Sequence, residues 1–282
     1  MRNIEAREKE INPGDILVVG IPFDKNSSFR RGPALAPQRI REALFCESSN
    51  MWTENLIYLG ELSCWEIIDD MKLSSQENEF EQIENEIRQL LKRRQRVISL
   101  GGDHSITYPI IRAFGEQYQN LNILHLDAHP DLYDEHDGNQ YSHACPFARI
   151  LEENRAKRLV QVGIRTMTGH QHEQAKRFGV EIIEMKDIVK IKQIAFDGPV
   201  YLSLDLDCLD PAYAPGVSHH EPGGMSTREV LGIIHNFKGR LVGADIVEYN
   251  PERDVHGMTG MVAGKLLKEI IGRMMGETQN GT

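Results

Sequence analysis

Three stretches of the chain each end an apolar run in carboxylates and imidazoles. Leu124-His-Leu-Asp-Ala-His-Pro-Asp131 follows the apolar residues 121–124 and sets Asp127, His129 and Asp131 at alternate positions. A strand ending there projects such an alternating set to one side of the backbone. Gly101-Gly-Asp-His-Ser105 follows residues 97–100, and Ser203-Leu-Asp-Leu-Asp207 closes residues 200–204 with Asp205 and Asp207, again at alternate positions. Taken alone, the stretch from Leu124 to Asp131 reads equally as a strand followed by a polar turn. Three strand ends of the same composition read as one site, and the groups they offer are those that hard or borderline divalent cations need.

His104, Asp127, His129, Asp131, Asp205 and Asp207 supply two imidazoles and four carboxylates. That is more than one ion usually takes from side chains in a catalytic site. Two ions sharing carboxylates use them all, and such a pair generates a hydroxide nucleophile from water near neutral pH. Oxygen-rich ligands without cysteine favour manganese over zinc. Asp103 and Asp210 adjoin these residues and read either as supports for the ligands or as an N-cap and a turn residue. His143, in the long loop that follows, reads as a proton shuttle or as an exposed loop histidine. Glu248 ends a later strand, where its two oxygens suit a planar guanidinium; the alternative is a surface charge. Asp245, earlier in the same strand, reads as a support for a ligand or for the sheet.

The elements that must position these groups follow from periodicity. Strands are expected at residues 15–23, 56–59, 97–100, 121–127, 158–164, 180–183, 199–206 and 241–247. Helices are expected at residues 37–43, 74–94, 107–117, up to 152, 171–178, 186–194, from a capping box at Ser226 and Glu229 to 237, and 257–275. This alternation describes an α/β protein with a mostly parallel sheet of about eight strands, covered on both faces. Ligands of such sheets bind outside the carboxyl ends of the strands. Asp103, His104, Asp127, His129, Asp131, Asp205, Asp207 and Glu248 all lie at such ends.

The 282 residues lie near the upper limit for one core and divide at no linker or repeat, so one domain over residues 1–282 is expected. A net charge of −10 opposes a nucleic-acid or anionic-membrane partner. Cys46, Cys64, Cys145 and Cys208 have no CxxC spacing, which speaks against a disulfide framework or a thiolate zinc site. With no secretory apolar region near residue 1 and no apolar run of membrane-spanning length, a cytoplasmic location is expected.

GGDHS, DAHPD and SLDLDCLDPAYAPG, in this order and spacing, resemble the three signatures of the arginase/agmatinase (ureohydrolase) family. The likeness to plant-type arginases also runs through NSSFRRGPA, GNQYSHACPFARI, APGVSHHEPGG, VEYNPERD and HGMTGMVAGKLL. The resemblance implies a three-layer αβα sandwich, two Mn2+ ions per subunit, a small-molecule guanidino substrate and a trimer or hexamer. It implies His104, Asp127, Asp131 and Asp205 around one ion, and Asp127, His129, Asp205 and Asp207 around the other. Asp131 and His143 would handle protons, and Glu248 would anchor the guanidinium. Arginine is the first substrate and agmatine the second. Animal arginases carry a polar amide where this chain has Tyr133, and an acidic residue in the stretch that here reads Thr166-Met-Thr168. A zinc-dependent amide hydrolase with a related sheet is the competing class; the paired Asp205 and Asp207, together with His104, oppose it.

Overall fold

The computed structural model describes residue 12 and residues 14–60, 64–93, 95–190 and 194–279. Strands and helices alternate as β1 (Ile16–Gly20), α1 (Ala36–Leu44), β2 (Trp65–Ile67), α2 (Glu79–Lys92), β3 (Arg96–Leu100), α3 (Thr107–Gln117), β4 (Asn122–Leu126) and α4 (Pro146–Glu152). They continue as β5 (Arg158–Ile164), α5 (Gly169–Phe178), β6 (Glu181–Glu184), β7 (Ala195–Asp205), α6 (Thr227–Asn236), β8 (Lys238–Val247) and α7 (Met258–Gln279). The eight strands form one sheet in the order β2-β1-β3-β8-β7-β4-β5-β6, and every neighbouring pair is parallel.

A parallel sheet must be covered on both faces, and successive side chains of a strand point to opposite faces. In β1, Ile16 and Val18 join a core with Ile40 of α1, Ile234 of α6 and Ile270 of α7. Leu17 and Val19 join the opposite core, with Ile83 of α2, Ile110 of α3 and Phe147 of α4. The three-layer αβα expectation is therefore met. No helix among the described residues is long and apolar enough to cross a membrane.

Two elements differ from the sequence expectation. Residues 56–59 form no strand: Leu56 is exposed in a left-handed conformation (φ 60), and Tyr58 makes only an isolated antiparallel bridge with Trp52. The second strand is Trp65–Ile67 at the sheet edge, where its half-buried residues lack the apolar run that marks central strands. The helix expected over 186–194 is a 3-10 segment, Met185–Lys190; residues 191–193 lie outside the described residues. The capping box at Ser226 and Glu229 starts α6 as expected, and Thr168 with Gln171 forms a second one at α5.

The strand order decides where chemistry can happen. β3, β8, β7 and β4 are consecutive neighbours, and just past their carboxyl ends come His104, Glu248, Asp205 with Asp207, and Asp127 with His129 and Asp131. At about 4.8 Å between strands, four adjacent ends span only roughly 15 Å.

The turn after β3 is locked to the one after β1. Asp103 N–H donates to the Phe23 carbonyl at 2.9 Å, and a Cβ on Gly102 would fall 1.6 Å from that same oxygen. The obstacle is backbone, which cannot swing aside as a side chain does. Gly102→Ala is therefore expected to cost about 3 kcal/mol, the upper end for overpacking, measured as a lower denaturation midpoint. A variant as stable as the parent would mean that the two turns can separate freely.

Candidate metal centre

Past the carboxyl ends of the central strands, backbone N–H groups hold one oxygen of each of three carboxylates. Asp205 Oδ1 accepts from Asp207 N–H at 2.8 Å, Asp207 Oδ1 from Ala128 N–H at 3.1 Å, and Asp127 Oδ1 from His129 N–H at 2.6 Å. The other oxygens turn inward. His104 Nδ1 lies 3.2 Å from Asp127 Oδ2, 3.0 Å from Asp131 Oδ2 and 3.2 Å from Asp205 Oδ2. His129 Nδ1 lies 3.0 Å from Asp207 Oδ2 and 3.4 Å from Asp127 Oδ1. Asp127 thus presents one oxygen to each imidazole. Asp205 Oδ2 faces the His104 group.

The tautomer of His104 follows from its surroundings. Asp245 Oδ1 accepts the Ser203 hydroxyl proton at 2.8 Å, so Ser203 Oγ is left to accept from His104 Nε2–H at 3.0 Å. Thr107 and Tyr201 donate to the other Asp245 oxygen, each at 2.9 Å. With its proton on Nε2, the ring turns the lone pair of Nδ1 toward three carboxylate oxygens. This fully buried atom has no properly directed hydrogen bond. Four acceptors facing one another, with no donor to the imidazole nitrogen, suit a bound cation.

The charges tell the same story. Burial, then Asp207 and Asp127, push the Asp205 carboxyl far above the usual range, and burial also raises Asp207. Burial opposes charge on His129 as well, yet Asp207 and Asp127 bring it up to about 12. Carboxylates this close cannot all ionise unless positive charge joins them. The residues fit a divalent metal. His104, His125 and Asp127 form one group with a ligand atom from each within 4.8 Å of the others, and Asp127, His129 and Asp207 form another.

His125 was not singled out from the sequence. Gln161 Nε2 donates to His125 Nδ1 at 3.0 Å and to the Pro130 carbonyl at 2.6 Å, and the second contact fixes which way the amide points. His125 therefore carries its proton on Nε2 and donates it to Asp127 Oδ2 at 2.7 Å. It steadies a carboxylate, and its lone pair is already used. Asp103 accepts from Ser105 N–H at 3.0 Å and Asn26 N–H at 2.9 Å, and Asp210 accepts from Ala212, Gly223 and Gly224. These are the cap and turn roles. Asp245 supports His104 through Ser203.

His143 and Glu248 face the same cavity, about 200 Å³, whose lining also includes Asp131, Asp205, Asp207 and His219. His143 Nδ1–H donates to Glu248 Oε1 at 2.8 Å, and that oxygen also accepts His104 N–H at 2.9 Å. Oε2 of Glu248 is buried and has no partner. On its other side, His143 Nε2 accepts from Ser28 N–H at 3.2 Å and lies 2.8 Å from Ser28 Oγ. Burial works against charge on His143, but Glu248 raises it to about 9. Ser28 N–H pulls the other way, because it can donate only to the neutral ring. Tyr133, Thr166 and Thr168 line the same cavity, with the Tyr133 ring stacked 5.8 Å from that of His170. Asp131 and Glu248 both adopt left-handed backbone, at φ 51 and 63. That costs a non-glycine residue roughly 1–2 kcal/mol and turns each carboxylate off the line of its strand.

Residues 14–272 match the Arginase family. The chain is 47% identical over 279 residues to arginase 1, mitochondrial, of Arabidopsis thaliana, covering 91% of this chain and 80% of the relative. It is 33% identical to the mitochondrial guanidino acid hydrolase of Homo sapiens, over 91% of this chain and 77% of that one. A solved arginase from Medicago truncatula superposes with a TM-score of 0.87 at 41% identity, covering 93% of this chain and 87% of the other. These comparisons overturn the cytoplasmic expectation, since plant relatives from Arabidopsis thaliana, Oryza sativa and Medicago truncatula are mitochondrial or chloroplastic/mitochondrial. The lack of a secretory apolar region bears on export alone, because organelle leaders are amphipathic and Arg-rich. By its match over residues 14–272 and its identity to the plant enzymes, the chain belongs to the arginase family.

Proposed function

We propose that the chain is a ureohydrolase with two manganese ions that cleaves the guanidino group of L-arginine to urea and ornithine, with agmatine as the second substrate. The observation that carries the guanidino assignment is Glu248 Oε2, a buried carboxylate oxygen without a partner beside a cluster of metal-binding groups. A guanidinium is permanently charged, planar and forked, and it answers such an oxygen better than an ammonium or a neutral amide does.

On this reading His104, Asp127, Asp131 and Asp205 would hold one ion, and Asp127, His129, Asp205 and Asp207 would hold the other. The bound ions supply a hydroxide nucleophile at neutral pH. Glu248 orients the guanidinium over them while His143 and the His104 N–H keep its first oxygen fixed. Asp131 would accept the remaining proton of the attacking hydroxide and pass it toward the departing amine. His143, its ring held by Ser28 and Glu248 from both sides, would be the acid/base group that relays protons between the site and solvent. Ser203 with Asp245, and Gln161 with His125, keep His104 and Asp127 aimed. The same reading takes the assembly to be a trimer or hexamer.

Urea release with added manganese tests the activity, and arginine is expected to be the better substrate. Glu248→Gln should retain its metal and lose a few kcal/mol of transition-state stabilisation, about two orders of magnitude in kcat/KM. An unchanged kcat/KM, or a variant that has lost its metal, would remove Glu248 from the guanidinium role.

Ser203→Ala leaves His104 Nε2–H without its acceptor and Asp245 without one of its donors. Outer-shell partners of this kind are worth about 10–100-fold in metal affinity, read by competition with a chelator. Wild-type affinity in this variant would show that packing alone orients the His104 ring.

A further inference from the structure

The floor of the cavity is acidic, with Asp131, Asp205, Asp207 and Glu248, while the exposed Arg30 stands outside it, next to a ring that packs on the lining residue His219. The loop between β1 and α1 makes one wall, and the loop is pinned. Asn26 N–H donates to Asp103 Oδ2 at 2.9 Å, and Ser28 meets His143. Ser218 Oγ–H donates to the Arg30 carbonyl at 3.0 Å, and Asn250 Nδ2 to the Arg31 carbonyl at 3.1 Å. Held this way, the Phe29 ring packs 5.6 Å from the ring of His219, which lines the cavity. Phe29 is nevertheless 60% exposed. The Arg30 guanidinium lies over that ring, 5.3 Å from its centroid.

Neighbouring cations are already engaged. Arg31 donates to the Lys25 carbonyl, and Arg253 faces His220 Nδ1. Arg30 has no carboxylate partner among the described residues. An aromatic shelf restricts a guanidinium without neutralising it, so its forked donors stay available to an anion. The acidic floor claims the positive end of a substrate, and what remains for the mouth is the far end.

We propose that Arg30, carried on Phe29, is a specificity residue that reads a carboxylate at the far end of the substrate. It selects guanidino acids, arginine among them, over guanidino amines such as agmatine. This inference rests on the ureohydrolase reading above.

The test compares arginine, 4-guanidinobutyrate and agmatine in the manganese-loaded wild type, Arg30→Gln and Arg30→Glu. For an ion pair at the rim of a site, Arg30→Gln should lower the arginine-to-agmatine ratio of kcat/KM about fivefold. The 4-guanidinobutyrate-to-agmatine ratio should fall in parallel, mainly through KM. Arg30→Glu should move both ratios further, because it repels the carboxylate and attracts the amine, and the differences should shrink in high salt. Ratios that stay at the wild-type value, or that fall by the same amount in both variants, would overturn the role of Arg30 and leave the ureohydrolase reading intact. A wild type that releases urea from none of the three would overturn both.

Discussion

The structure depends on a cluster of buried acceptors in which the His104 ring nitrogen Nδ1 has no donor. Four atoms that want positive charge, His104 Nδ1 and oxygens of Asp127, Asp131 and Asp205, meet within 3.2 Å of the imidazole nitrogen. Two unit charges about 4 Å apart repel by roughly 4 kcal/mol at the effective dielectric of a protein surface, and by more in the interior. A chain that buries such a group needs a cation to relieve it, or must hold protons there instead. The raised carboxyls of Asp205 and Asp207 and the raised imidazole of His129 are the second solution. Divalent metal is the first.

Much of the surrounding fold keeps these atoms from escaping. The side chains lie at or just beyond the ends of neighbouring strands in a sheet covered on both sides, which fixes the backbone that carries them. Backbone N–H groups tie down the outward oxygens of Asp205 and Asp207, and His125 ties Asp127. Left-handed backbone at Asp131 and Glu248 adds carboxylates that a regular strand end would point elsewhere. Strain of this sort persists only where the surroundings over-determine it, and here they serve one cavity.

The cluster was legible because alternate Asp and His residues at strand ends leave a clear pattern. The structure brings all six together. Strands with long apolar runs were legible for the same reason, whereas Trp65–Ile67, a short half-buried edge strand, was hidden and the apolar residues 56–59 misled. The supporting residues could not be found in one sequence. His125 looks like any strand residue, and its importance comes from Gln161, which approaches from the adjacent strand β5. Ser203 matters because Asp245 on β8 takes its proton. A positive φ at Glu248 has no sequence signal at all, since glutamate rarely adopts it. The location was misjudged for a different reason: the test applied to the N-terminal residues recognises secretion and nothing else.

The central claim is that six side chains together hold two divalent ions, with Asp127 serving both. Counting manganese per chain by elemental analysis, after loading and dialysis, tests it without reference to activity. The account expects two ions in the wild type and none retained by Asp127→Asn. A single ion in the wild type, or two in the variant, would contradict it.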